Sequence, residues 1–167
     1  HVADDGLILK HIGTGDGKEP SLTFQAGDND IAADDVLGSI FFQAPDEGAG
    51  SDAVLVAAGI EAVSEGDFSS SSNATKLSFK TGASEAAAEK VAISSGGDVS
   101  VVTDGAKMKF GADAEVTLTH VHNTGLLLSD DSGIGTTQLQ FGDSGTYIQQ
   151  SADGILNLAA DGSIQLS

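Results

Sequence analysis

The chain has no cysteine and no tryptophan, a single tyrosine and two prolines, and only seven Lys plus Arg against 25 Asp plus Glu. Without cysteine, neither a disulfide framework nor a thiolate zinc site can form, and the redox compartment stays open. The formal net charge of −18 repels phosphate backbones and anionic lipid surfaces, which argues against nucleic-acid and membrane-surface partners. The longest nearly apolar run, residues 53–60, falls far short of the roughly 20 residues a membrane-crossing helix needs, so no membrane insertion is expected. Scarce large aromatics also weaken any sugar-cleaving reading, because such sites usually stack the sugar ring on an aromatic platform.

What remains is a chain of 167 residues, enough for one domain or a string of small modules. Alanine and glycine each occur 22 times, and Leu, Ile, Val and Phe together make up 42 residues. That is about a quarter of the chain, above the disordered range and below a comfortable monomeric core. The missing burial is therefore expected from other chains. His1 in place of Met, with no basic leader after it, reads as a soluble fragment of something longer.

Asp5-Gly6, Asp16-Gly17, Asp104-Gly105, Asp153-Gly154 and Asp161-Gly162 punctuate the chain as β turns. Alternating stretches at 22–24, 76–80, 107–110 and 116–119 predict strands. Longer strands are expected near 37–44, 53–63, 76–81 and 90–94. Only residues 84–90 have helix propensity, with Ser84 as an N-cap, for a turn or two within a loop. Two internal similarities stand out. Residues 1–9 align with 120–128, sharing His, Val, Gly and two Leu, and Ser151–Leu158 is followed eight residues later by 159–166, each with an Asp-Gly turn before a short strand. Eight residues cannot bury an apolar face within one chain, so the copies must stack or wind around sister chains in a β-helix-like fibre.

The strands at 36–44 (VLGSIFFQA), 57–62 (AAGIEA), 75–81 (TKLSFKT) and 89–99 (EKVAISSGGDV), in that order, resemble bacteriophage tail fibres. The likeness spans roughly residues 7–102 by ordered motif, and the C-terminal repeats are similar in style to fibre shafts of marine tailed phages. In that family the pattern often precedes a self-cleaving trimerisation chaperone, which this chain lacks. The resemblance implies a homotrimeric, elongated virion component that serves adsorption to a bacterial host.

Among chemical candidates, His120 and His122 stand two apart on a strand and so face one side, and three chains would offer six nitrogens to an axial transition metal. The resemblance supports this through phage fibres that hold iron on His-x-His strands. The plainer alternative is an outward pair or neutral imidazoles near a module junction, and the copy at His1 and Ala3 lacks the second histidine. Acidic pairs at Asp4-Asp5, Asp28 and Asp30, Asp34-Asp35 and Asp130-Asp131 could hold structural calcium, although none forms the twelve-residue calcium loop and most such pairs are solvated turns. Glu61, Glu65 and Asp67 could pose as a glycosidase pair, but the aromatic platform is missing. The glycine run at 13–18 lacks phosphate-loop spacing and is a turn. No nucleophile elbow accompanies the four histidines.

The expectation is an all-β, non-enzymatic, elongated homotrimeric fibre, with a short module at 1–20, a compact sandwich-like or prism-like β module at 21–102, and a repetitive shaft at 103–167 whose second copy of the opening module starts at 120. Its partners would be two identical chains, other tail or fibre proteins, and a host cell-surface receptor, with a glycan among the candidates, and its place the virion. The loops at 43–51 and 65–73, with Asp46, Glu47, Asp67 and Phe68, are the expected contact surface. A calcium-dependent bacterial adhesin and a polysaccharide depolymerase spike are the alternatives.

Overall fold

The computed structural model describes residues 6–45, 48, 50–130 and 137–164. The chain is all-β, with three antiparallel sheets and no α-helix among the described residues, and it divides into two compact units, residues 1–101 and 102–167.

The first unit contains one five-stranded meander: β1 (Val36–Gln43), β2 (Val56–Ser64), β3 (Thr75–Thr81), β4 (Ala88–Ile93) and β5 (Val99–Val101), paired in chain order. Four of these match expected strands to within a few residues. The second is shorter than expected at its start, because Asp52–Val54 closes a single 3₁₀ turn before β2. The unit supplies one layer only, so the second layer of a sandwich or prism is not made by its described residues. Two expectations need correction. Residues 83–86 bend without forming a helical turn, and Ala88 to Lys90 enter β4, where pairing with β3 outweighs alanine's local preference. Leu22 to Phe24 form no strand, and Phe24 packs instead against β1 at Gly38.

A polar clip joins the segment before β1 to the end of β2. Ser64 is almost completely buried, its N–H donates to the Asp35 carbonyl at 2.9 Å, and its carbonyl accepts from Asp34 N–H at 3.0 Å. Its hydroxyl accepts from Asp35 N–H at 3.0 Å and donates to the Ala32 carbonyl. Every polar atom of this small side chain and its peptide is thus paired, the condition under which burying them is tolerable.

In the second unit β6 (Lys107–Phe110), β7 (Val116–Val121) and β8 (Gly125–Asp130) form one meander, and β9 (Gln138–Phe141), β10 (Asp143–Ala152) and β11 (Ile155–Ala159) form another. The Asp-Gly punctuation holds where it introduces strands: Gly105 and Gly154 have φ of 72° and 75°, the left-handed conformation that glycine adopts without steric cost. The internal repeats are not repeated in structure. The copy at 120–128 makes the β7–β8 hairpin, whereas residues 6–9 have no regular structure. The physical difference is a neighbour: β7 is flanked by β6, and residues 6–9 have no paired strand among the described residues. Likewise Asp153-Gly154 turns β10 into β11, while Asp161-Gly162 is a bend with no strand at 163–164.

Candidate functional site: uncovered apolar sheet faces

Strand side chains alternate between faces, so the pairing register sorts residues into rows across each sheet. In the five-stranded sheet one row runs Ile40, Ile60, Phe79, Val91, Val101, and the next runs Gly38, Ala62, Leu77, Ile93, Val99. No charged residue occurs in either. The opposite face carries the row Ser39, Glu61, Ser78, Ala92, Ser100, flanked by Lys76, Lys80 and Glu89.

The shielded face is the polar one. Glu61 and Ser78 are 6% and 0% exposed, whereas Leu77, Val99 and Val101 are 39%, 67% and 52% exposed. Lys80 pairs with Glu61, and Lys76 reaches Glu89 at 3.0 Å. Ser39 Oγ adds a long contact of 3.4 Å to Glu61. The Ser78 hydroxyl, first, and the neighbouring Lys76, next, hold the Glu89 carboxyl below the usual carboxylate range; Ser78 does so as a nearby dipole, because its oxygen makes no hydrogen bond of normal geometry.

On the apolar side Phe24, Leu37, Gly38, Ile40, Ile60 and Leu77 are among the residues lining an open groove of about 290 Å³. Gly38 makes room for Phe24: a β-carbon there would come within 2.7 Å of the Phe24 β-carbon.

The other two sheets repeat the pattern. Met108, Leu118 and Leu128 form one apolar row, with Lys109, Thr117 and Ser129 on the other face, where Thr117 and Ser129 hydroxyls meet at 3.0 Å. Leu139, Ile148 and Leu158 form another, backed by Gln138, Gln149 and Asn157, with Gln138 Nε2 donating to Gln149 Oε1 at 2.6 Å. Met108, Leu139 and Leu158 are each exposed. Val63 and Ala92 are the only buried apolar residues among those described. The accessible surface is 12510 Å².

His120 is the penultimate residue of β7 and His122 lies in the turn that follows, so only the first is a strand residue. The pair nevertheless converges. Both Nδ1 atoms approach the Asp104 carboxylate, at 3.4 and 3.1 Å, and the rings stand edge to face with centroids 6.3 Å apart. Asp104 was legible in the sequence only as turn punctuation. Among the described residues no group of three or more His, Asp or Glu side chains of one chain could hold a metal ion.

The carboxylates considered for hydrolysis each have a structural partner. Glu61 pairs with Lys80, Glu65 Oε2 accepts from Ser95 N–H at 2.9 Å, and Asp67 Oδ1 accepts from Ala33 N–H at 3.3 Å. The hydroxyl and then the N–H of Ser95 hold Glu65 below the usual carboxylate range. Phe68 is half-buried and its N–H donates to the Ile31 carbonyl, so Asp67 and Phe68 tie their loop to the segment before β1. Asp46 and Glu47 lie outside the described residues, as do Asp4, Asp5 and Asp131. Asp28 and Asp35 accept from the N–H groups of Asp30 and Ala32 at 2.9 and 2.7 Å, the bonding of ordinary acidic turns.

No protein-family model matches the chain, and no curated protein matches it significantly.

Proposed function

We propose that this chain is a structural, non-enzymatic segment of a homotrimeric β fibre of the bacteriophage tail-fibre kind, borne on the virion and supporting adsorption to the host cell. One observation carries the multichain part: each of the three sheets has an apolar row, and Leu77, Val99, Met108, Leu139 and Leu158 in those rows stay exposed among the described residues. A sheet with one hydrophobic face must bury it to be stable, and among the described residues only Val63 and Ala92 are buried apolar side chains. The ordered motifs of β1 to β4 support the tail-fibre part by resemblance. In this reading the acidic surface keeps assembled fibres apart in solution.

The test is the solution mass by light scattering, with and without chelator. A trimer of about 50 kDa, three times 16.7 kDa, that persists in chelator is the expected result. A folded monomer would overturn the shared-core reading, and a trimer or monomer that unfolds in chelator would favour the calcium-dependent adhesin.

A further inference from the structure

The five-stranded sheet has two faces of opposite character, and only one suits contact between copies of a chain carrying a net charge of −18. Two such chains repel unless they meet where neither presents carboxylates. The Glu61, Lys76, Lys80 and Glu89 side chains all occupy one face, and the Leu77 row and the Ile40 row, on the other, contain no ionisable group.

We infer that the face of the five-stranded sheet bearing Ile40, Leu77 and Val101, together with the groove between Phe24 and Leu77, seats neighbouring copies of this same chain, and that the Glu61–Lys80 face stays in water. The inference rests on the multichain reading above and adds to it which side of the sheet points inward. Leu77 lies on the central strand and lines the groove, so it marks the middle of the contact. Ser100, on the edge strand and on the opposite face, marks the side that remains solvated.

Two variants of the full chain, Leu77→Glu and Ser100→Glu, are compared with wild type by light scattering and circular dichroism. Leu77→Glu is expected to dissociate into monomers with at least a tenfold rise in dissociation constant, and Ser100→Glu to leave the oligomer intact. A second measurement does not depend on the folding of the charged variant. In this cysteine-free chain, Leu77→Cys and Ser100→Cys each introduce one thiol, and the assembled Cys at 77 should react with a soluble maleimide at least tenfold more slowly than that at 100. A wild-type monomer would overturn the multichain reading and this inference with it. A wild-type oligomer in which both thiols react alike, or in which Ser100→Glu alone dissociates the chains, would overturn the choice of face and leave the multichain reading standing.

Discussion

Phe24 rests on Gly38: the ring-bearing β-carbon occupies space that any side chain at position 38 would claim, and a β-carbon built there lies 2.7 Å away. This contact places an aromatic wall beside the apolar face. Gly38→Ala should therefore push Phe24 aside, cost about 1 kcal/mol by overpacking, and weaken association of copies. Thermal unfolding and light scattering of the variant would check both effects, and Gly27→Ala, where nothing lies within 4 Å, is the control.

Lys80 neutralises a carboxylate that is 6% exposed. Removing the cation by Lys80→Met leaves Glu61 shielded from water and unpaired, an arrangement that costs roughly 1–3 kcal/mol where one partner is still partly solvated. The double variant Lys80→Met, Glu61→Leu should recover much of that loss. Urea denaturation of the two variants gives the comparison.

Glu65 and Glu89 both have folded values lowered from the ordinary 4.5. A depressed carboxylate contributes stability that is complete above its unfolded value and is lost as pH falls through the folded one. The stability difference between wild type and the Glu65→Gln, Glu89→Gln variant should accordingly be present at pH 7 and shrink below about pH 4.5. Glu65 is exposed and the Glu89 side chain still keeps 24% of its surface in water, so the difference is small and shrinks further in salt. Urea midpoints at pH 7 and pH 3.5 would measure it.

Asp104 holds two imidazoles at once, beside the His120 N–H that donates to the Ala106 carbonyl at 3.0 Å. All three side chains are exposed or nearly so, which limits the pair energies to below about 1 kcal/mol. Asp104→Ala should leave global stability nearly unchanged and speed hydrogen exchange at the His120 amide.

Gly154→Ala meets no atom within 4 Å, yet its φ of 75° penalises any β-carbon. A loss of about 1 kcal/mol is expected. Gly162→Ala, in the Asp-Gly pair without positive φ, should be neutral, and thermal midpoints of the two variants decide it.

Much of the architecture was legible because strand chemistry is local. Alternation, Asp-Gly turns and the absence of helix period were enough to mark β1, β3, β4, β6 and β7 as strands. The shortage of large apolar residues agrees with the two buried apolar side chains, Val63 and Ala92, found among the described residues. Local similarity failed where pairing decides: residues 6–9 share a motif with β8 and form no strand, and alanine-rich 86–88 did not become a helical turn.

The candidate site divides in the same way. Composition alone determined that large apolar side chains would be few and that no cysteine thiol is present in the sequence. Only the tertiary structure decided which residues share a face, since a one-residue change of register exchanges the two sides of a strand and no single strand reveals its partner's register. The structure thereby set Leu77 among Ile93 and Val99 on an open apolar face, buried Glu61 beneath Lys80, and brought Asp104 to two histidines more than a dozen residues away, relations made by cross-strand pairing and invisible in any linear reading.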